Sequence, residues 1–580
     1  MVSAELPQEP LLPGNRVWAG CEAWYERHRL PLLTTVATLP LYALWWGVFA
    51  TGGGDLAAQI AWAGFAERFP DSAYNLFWHG GLHAANYSVI SPYLMALFGV
   101  LPVTLASGIA ATWLAALICR HSGVRRPLWP ALMFGVTLWC QVVSGRTTFV
   151  LGVAFGMAAV LCVVGGGGGR RLVPGALCAA LATLASPVAG LFLLVAGAAY
   201  LLLRRGREAL VLAAPPVAVV LTTTLLFPFE GEQPMPFVRV LAPVAICLAV
   251  ILAAPRSWRL VRLGAGVFAV GVLLTFLIPS PIGTNVERLT EFAGPPVLLA
   301  AALNLGAQRT RVEGTEVEAS RGVGGLTSIA VRRIALVCAA VLALGWLAGR
   351  TASDVIAYTE VPAWAIETDG VVDALERLDA DRTRVEVVPA RDHREAAVLA
   401  PHINMARGWN RQADVTRGRL FYDGRAGTAV PAGTFTADSY RAWLDRWAVG
   451  LVVLYDGRPD GPAELEHALV TSEPSYLERV WSDDNWRIYR VKDAVPLAEQ
   501  PASVVGSDGA DLTLDLPEAG SVGVRIAYSP WLWASSGCLR QDGEFTRLTV
   551  EKPGRVRISS RFGGPPETRT PAPRCAGGSG

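Results

Sequence analysis

Long apolar runs alternate with short polar breaks from about residue 31 to residue 350. Each run is close to the roughly 20 residues that an α-helix needs to cross a bilayer. The pattern therefore predicts an α-helical polytopic membrane domain of about eleven spans over residues 31–350, after a polar N-terminal stretch at 1–30. The predicted spans are 31–50, 97–119, 128–142, 147–165, 173–187, 188–203, 209–227, 238–254, 260–278, 292–306 and 332–348.

Basic residues fall almost entirely on alternate breaks between these runs. They precede the first run and follow the second, fourth, sixth, eighth and tenth. The positive-inside rule assigns such loops to the cytoplasm. We therefore expect a multi-pass plasma-membrane protein with a cytoplasmic N-terminus and, because the span number is odd, an extracytoplasmic C-terminal region. The outer segments are then 51–96, the turn at Arg146, the break at 186–188, 227–237 and 279–291.

The pattern changes after residue 350. Between 351 and 497, short helical patterns alternate with strand-like runs such as 385–388, 451–455 and 486–491, which predicts an extracytoplasmic α/β domain. Between 498 and 580, alternating segments such as 512–516 and 521–528 predict a small β-sandwich-like domain and a tail.

Composition supports the membrane assignment. The chain has 580 residues, of which 52% are hydrophobic and 17% are charged, against about 25% charged in an average soluble protein. The net charge of +2 is too small to indicate nucleic-acid binding. Cys538 and Cys575 both follow the last run, where an oxidising compartment permits a disulfide, although spacing alone leaves their pairing open.

Asp55 lies just past the first apolar run. A carboxylate at the mouth of a membrane helix is costly unless water, a partner or a substrate receives it. The segment after it carries almost no net charge and is rich in aromatic and polar residues, so we interpret it as a site and not as a connector. An alternative is that Asp55 only caps the helix that begins at Leu56.

Four features resemble the GT-C superfamily of membrane glycosyltransferases. They are Asp55 in the first outer segment, residues 87–92 leading into the second span, and the segments 186–190 and 281–288. The last two are similar to patterns in actinobacterial proteins of this type. GT-C enzymes use polyprenyl-phosphate-linked sugars and carry an acidic residue soon after the first helix. Many have a second acidic residue beside it, where this chain has Leu56.

The chemistry of sugar transfer suggests roles for these residues. Attack by an acceptor hydroxyl needs a base, for which we choose Asp55. The lipid phosphate that leaves needs cations or hydrogen-bond donors, for which we choose Arg288 and Arg146. Alternatively, Arg288 pairs with Glu287 or Glu291, and Arg146 snorkels to the interface.

Six further residues complete the expected substrate-binding set. His79 and His83 share a four-residue spacing that on a helix would let them hold a metal with a carboxylate, but two glycines between them favour sugar contacts or a loop instead. We therefore assign no metal site, and a divalent cation stays an open option as cofactor. The other members are Asn86, Tyr87, Asn285 and Trp409.

The resemblance implies a glycosyltransferase of hexosyl or pentosyl type that works on the outer face. It would transfer sugar from a polyprenyl-phosphate donor to a cell-envelope glycan, lipid or protein, within a lipid bilayer. The alternative is a non-catalytic GT-C-like assembly scaffold or a lipid or polysaccharide transporter. A transporter should carry charges at mid-membrane depth, and the runs contain almost none.

Overall fold

The computed structural model of the protein describes residues 13–165, 169–313 and 322–563, with side chains described for 24–165, 169–305 and 329–563. A helix lies in each of the eleven predicted runs. These helices are α1 (Pro13–Leu44, continued by a π-helical turn at Trp45–Phe49), α4 (Val100–His121), α5 (Leu128–Val143), α6 (Thr147–Val164), α7 (Leu172–Ala185), α8 (Pro187–Leu202), α9 (Gly206–Leu226), α10 (Phe237–Ala253), α11 (Arg259–Leu277), α12 (Arg288–Glu313) and α13 (Gly322–Tyr358).

Within the described residues, six helices are long and apolar enough to cross a membrane, and the chain is a membrane protein. They are Trp24–Phe49, Val100–His121, Thr147–Val164, Gly206–Leu226, Arg259–Leu277 and Ile329–Tyr358. Three shorter apolar helices, α5, α8 and α10, accompany them. The figure of eleven spans and the orientation remain predictions.

Small residues let the membrane helices approach closely, as is usual in bilayers. At Gly152 of α6, an added Cβ would lie 2.8 Å from Cβ of Ala189 and 2.9 Å from the carbonyl oxygen of Ala182. Gly152 therefore allows α6 to pack directly on α7 and α8, whose junction at Ser186 reaches the site described below.

The segment after α1 folds against the C-terminal region. It forms α2 (Asp55–Arg68), the paired strands β1 (Tyr74–Asn75) and β2 (Leu82–His83), and α3 (Ser91–Phe98). Most of its aromatic side chains, including Trp62, Phe65, Phe77 and Trp78, are buried in one hydrophobic cluster with residues of the C-terminal α/β layer. Our interpretation of this whole stretch as a site was therefore too broad, because most of its aromatic rings form a core.

An α/β layer follows α13. Its helices are α14 (Ala363–Ile366), α15 (Asp369–Arg377), α16 (Glu395–Val398), α17 (Arg411–Arg417), α18 (Ala437–Arg446) and α19 (Glu464–Thr471), and its strands are β3 (Arg384–Val387), β4 (Val449–Tyr455), β5 (Leu477–Ser482) and β6 (Trp486–Val491). The sheet order is β3-β4-β6-β5, with only β3 and β4 parallel. Apolar residues fill both faces of this sheet, one face packing on α2 and α15 and the other on α18 and α19.

Seven strands form the last described part of the chain. They are β7 (Ser503–Ser507), β8 (Leu512–Leu516), β9 (Gly520–Ala527), β10 (Leu532–Ala534), β11 (Cys538–Asp542), β12 (Phe545–Val550) and β13 (Gly554–Ser560). They make two sheets, β10-β13-β8-β7 and β11-β12-β9, whose inner faces share one hydrophobic cluster, as in a β-sandwich. Cys538 is disulfide-bonded, and Cys575 lies outside the described residues.

Candidate functional site

A polar cavity of about 180 Å³ lies where one end of the helical domain meets the α/β layer. Residues of α2, the turn before α6, the segment before α12 and the segment before α17 line it. Those in the membrane domain all come from segments that the charge pattern places on one side. The cavity brings together six predicted site residues: Asp55, Tyr87, Arg146, Asn285, Arg288 and Trp409.

Asp55 is the first residue of α2. Gly54, at φ 64°, occupies the N-cap position, and the cap makes no side-chain hydrogen bond. The idea that Asp55 serves only as the cap is therefore wrong. Its side chain is 31% exposed, and among the described residues its only ion-pair contact is a 3.9 Å approach of Oδ2 to Nη2 of Arg288.

Arg288 is the first residue of α12 and is largely buried. Its guanidinium lies 5.3 Å from the ring centre of Phe149. The alternative in which Arg288 pairs with Glu287 or Glu291 is wrong, because other arginines occupy both of those carboxylates. Among the described cations that line the cavity, Arg288 alone has no carboxylate within hydrogen-bond distance.

A buried ionic network surrounds this pair. Arg146 donates to Glu291 at 2.5 Å, and Arg350 lies 2.9 Å from the other oxygen of Glu291. Arg350 also contacts Glu287, which accepts two hydrogen bonds from Arg239 at 2.8 and 2.6 Å. Arg146 is thus a buried member of a network and not a snorkelling surface residue. The network fixes the helix ends and leaves Asp55 and Arg288 as its loosely paired neighbours.

Three helices direct their N-termini at the cavity. Asp55 begins α2, Arg146 is the N-cap of α6, and Arg288 begins α12. The aligned peptide dipoles of a helix place roughly half a positive charge at its N-terminus. Together with the guanidinium of Arg288, this arrangement favours an anion at the cavity wall.

The rest of the cavity wall combines amides with aromatic rings. The amides belong to Gln59, Gln233, Asn285, Asn410 and Gln412. Side-chain amides offer both donors and acceptors, which suits hydroxyl groups. The ring of Trp409 stacks on the ring of His393, with 3.4 Å between the ring centres. The guanidinium of Arg411 lies 4.8 Å from the centre of the Trp409 ring. This composition resembles that of a site for a polar, ring-shaped ligand.

An apolar groove of about 340 Å³ opens from the same place. Six leucine and valine side chains of α8 and α9 line it, including Leu194, Val217 and Leu221. The groove and the polar cavity share Tyr87, Asn285, Arg288, Asn410 and Gln412. Asn86 lines only the groove. Arg288 therefore stands at the junction between an apolar and a polar compartment.

His79 and His83 are not brought to either compartment. His79 is fully buried in a loop at φ 54°, and neither ring nitrogen has a hydrogen-bond partner among the described residues. His83 lies in β2, and its ring nitrogens contact the Pro228 carbonyl at 3.1 Å and the Ser529 hydroxyl at 2.8 Å. Burial lowers the pKa of His83 to about 4. The pair shares no helix face, because the two glycines between them adopt positive φ angles.

The donor set of the cavity does not fit a resident divalent cation. In the described part of the chain, no group of three or more His, Cys, Asp or Glu residues is placed to hold a metal. Two carboxylates line the cavity, and Glu291 is already shared between two arginines. Asp55 alone offers too few ligands for a Ca²⁺ or Mg²⁺ site made by protein side chains.

One arginine of the α/β layer holds the loop that leads to Asp55. Arg394 donates to the carbonyl oxygen of Thr51, to the hydroxyl of Thr51 at 2.8 Å and to the carbonyl oxygen of Tyr358 at 2.7 Å. The N–H of Gly54 donates in turn to the carbonyl oxygen of Asp392 at 2.7 Å. The loop approaches so closely that a Cβ at residue 53 would lie 2.7 Å from the Tyr358 oxygen, which explains the glycines.

Sequence reasoning missed several residues of the site. Glu291 was considered only as an alternative partner of Arg288, and Arg350 was not considered, because both lie at the ends of apolar runs, where charged residues are usual. Gln59 and Gln412 carry no charge pattern, so only their positions beside Asp55 and Trp409 could have indicated them. Arg394 gave no signal, since most of its partners are oxygens of Thr51, Tyr358 and Glu360, which are distant from it in sequence.

Comparison with known proteins adds two findings. Residues 499–575 match the model of a domain of unknown function (DUF8823), over the part of the chain that contains strands β7 to β13. The chain is also similar to an oligosaccharyltransferase from Archaeoglobus fulgidus, in a crystal structure where it is tethered by a disulfide to an acceptor peptide. The TM-score is 0.41 at 10% identity, over 74% of this chain and 69% of that one. No curated protein sequence matches the chain.

Proposed function

We propose that this protein is a membrane glycosyltransferase that moves a sugar from a polyprenyl-phosphate donor to a hydroxyl of a cell-envelope acceptor. One observation carries the proposal: a loosely paired carboxylate and a loosely paired guanidinium, 3.9 Å apart, stand where a polar cavity meets an apolar groove. A lipid-linked sugar has this same order of parts, with an apolar chain, one charged group and a polar ring.

The donor would lie across the junction. Its lipid would occupy the groove between α8 and α9, where the apolar side chains contact hydrocarbon. Its phosphate would face Arg288, since a guanidinium matches phosphate oxygens in shape and charge. The sugar would then enter the polar cavity, with the amides of Gln59 and Asn285 and the ring of Trp409 as candidates to bind it.

In the transfer step, Asp55 would accept the proton and Arg288 would stabilise the leaving group. Asp55 takes the proton of the acceptor hydroxyl as its oxygen bonds to the anomeric carbon. The bond from the anomeric carbon to the phosphate oxygen breaks, and its electron pair leaves with the lipid phosphate. Arg288 and the N-terminus of α12 stabilise the charge that develops there. Arg146 would act on this step by holding Glu291 and the helix ends in place.

We place this chemistry on the outer face, because the basic loops lie at the opposite ends of the helices and the positive-inside rule assigns them to the cytoplasm. The proposal includes hexosyl and pentosyl donors and a glycan, lipid or protein as acceptor. The second candidate function is a scaffold that binds the lipid without transfer. It is favoured by Leu56, which stands where many GT-C enzymes have a second acidic residue.

Donor turnover separates the two functions. The purified full chain in nanodiscs would be given synthetic polyprenyl-phosphate hexoses and pentoses with an envelope extract as acceptor, and released polyprenyl phosphate would be measured by mass spectrometry. We expect release with at least one donor. Arg288→Gln should reduce it by about a hundredfold, the typical effect of removing one transition-state donor.

A scaffold would bind the same lipids without releasing polyprenyl phosphate. Binding of every donor without turnover would therefore refute the transferase proposal and favour the scaffold. Absence of both binding and turnover would refute any lipid-linked substrate at this site.

A further inference from the structure

A second and larger cleft, of about 660 Å³, lies at the other end of α2. One wall is the segment 68–72 after α2, and the other is the sheet that contains β8, β10 and β13. Asp55 and Arg68 are the two ends of a helix of 14 residues, so the cleft and the polar cavity are about 20 Å apart at 1.5 Å per residue. The cleft is thus separate from the proposed transfer site.

Positive charge dominates this cleft. Four arginines line it, Arg68, Arg555, Arg557 and Arg561, against two carboxylates. Arg557 is paired with Asp511. The other three have no carboxylate within 4.0 Å among the described side chains, although Asp71 also belongs to the lining. Arginines that line one cleft without carboxylate partners create a positive potential there, which favours an anionic ligand.

The remaining wall suits a hydroxylated ring. Trp533 presents its indole to the cleft, and its Nε1 has no hydrogen-bond partner among the described residues. Ser559 is 5% exposed and its hydroxyl also lacks a partner there. The hydroxyls of Ser72 and Ser560 bond to each other at 2.9 Å and join the two walls. Tryptophan faces and hydroxyl donors are the groups that proteins use to bind polar rings.

The described lining of this cleft offers no apolar surface long enough for a lipid chain. Its apolar lining is limited to Phe69, Pro70, Ala510 and Trp533. The groove at α8 and α9 has the opposite character, with leucine and valine side chains along its wall. An anionic lipid would therefore leave its chains without an apolar surface, whereas a charged saccharide meets suitable groups throughout.

We propose that this cleft binds an acidic saccharide, with its carboxylate or phosphate groups on Arg555, Arg561 and Arg68 and a sugar ring against Trp533. The site belongs largely to the region that matches a domain of unknown function, and it does not depend on the transferase chemistry at Asp55. It gives the sandwich a role in holding a charged envelope glycan about 20 Å from the cavity.

Binding to the full chain in nanodiscs of neutral lipid tests the site. The probes are trigalacturonate with maltotriose as its neutral control, and a phosphorylated disaccharide with its unphosphorylated parent. We expect at least one acidic probe to bind, the neutral partners to bind more than about tenfold more weakly, and the affinity to fall as salt rises.

Variants then locate the binding. Arg555→Gln combined with Arg561→Gln should weaken the acidic probe by at least about tenfold. Both side chains are exposed, so the fold should be kept. Arg540→Gln, at an exposed arginine of β11 outside the cleft, is the matched control and should change nothing. Asp55→Asn should also bind the probe normally.

Three results would overturn the proposal. They are failure of both acidic probes to bind, equal binding of a neutral partner, and equal weakening by the Arg540 control. Binding of the chain to vesicles that contain phosphatidylglycerol, with loss in the double variant but with no saccharide binding, would assign the cleft to lipid headgroups instead.

Discussion

Replacing Arg394 by lysine is expected to open the loop that carries Asp55. The guanidinium makes five contacts from a nearly buried position, with Oδ2 of Asp392 at 3.1 Å, the carbonyl oxygens of Thr51, Tyr358 and Glu360, and the Thr51 hydroxyl. An ammonium group keeps the charge but has three donors. At least two of the five acceptors would therefore lose their partner.

The size of the effect follows from that count. A hydrogen bond to a charged group contributes about 1.5 kcal/mol or more to stability, so two lost bonds lower the free energy of local opening by roughly 3 kcal/mol. Since 1.4 kcal/mol is tenfold in an equilibrium constant, the loop should open about a hundredfold more often. Sugar transfer should slow as well, because Asp55 is held in position by this loop.

Hydrogen exchange of the full chain measures this opening. The amide of Gly54, which donates to the Asp392 carbonyl at 2.7 Å, reports on the loop. Arg382→Lys is the matched control. Arg382 is 56% exposed, and its ion pair with Asp379, at 3.6 Å, lies on the surface, where such pairs contribute little to stability. The reasoning is refuted if exchange at residues 51–55 in Arg394→Lys stays within about threefold of wild type and of the control.

Three further outcomes are expected. The fold keeps His83 neutral with a pKa of about 4, whereas a histidine in the unfolded chain takes up a proton below about pH 6.5. The free energy of unfolding should therefore fall between pH 6.5 and pH 4, and for each pH unit it should fall by about 1.4 kcal/mol more in wild type than in His83→Gln. Equal slopes of thermal stability against pH in the two proteins would contradict this prediction. Leu221→Trp should raise the KM for a lipid-linked donor at least about tenfold by filling the groove, while Leu225→Trp, on α9 outside the groove and 81% exposed, should not; equal effects in donor-turnover assays would contradict the lipid path. Arg288→Lys should retain more phosphate affinity than Arg288→Gln but less than wild type, since only the guanidinium binds two oxygens in one plane; titration with polyprenyl phosphate distinguishes the three, and an unchanged affinity in both variants would remove Arg288 from the phosphate site.

The helical framework could be predicted from the sequence because hydrophobic length is a local property. Each of the eleven apolar runs contains a helix, and strands β3, β4 and β6 lie within a few residues of the predicted positions. The breaks were also well marked, as at Pro187, which begins α8 after the extended residue Ser186. Local chain chemistry decides such features, and the sequence displays it directly.

The partners of the charged residues could not be predicted in the same way. Glu291 and Glu287 were plausible partners of Arg288 by proximity in sequence, but both face arginines from other helices, Arg146, Arg350 and Arg239. Choosing among several arginines at helix ends requires the packing of the whole bundle. The aromatic stretch after Asp55 failed for a related reason, since a ring in a core and a ring in a site have the same composition.

Turnover by Asp55→Asn tests the central claim most directly. The substitution preserves size and removes the charge, and Glu67→Gln, at an exposed acid of the same helix that lies outside the cavity, is its control. We predict that Asp55→Asn binds a polyprenyl-phosphate donor within about threefold of wild type but transfers its sugar at least about a hundredfold more slowly, as expected for loss of a general base. Transfer at the wild-type rate by Asp55→Asn would contradict this account.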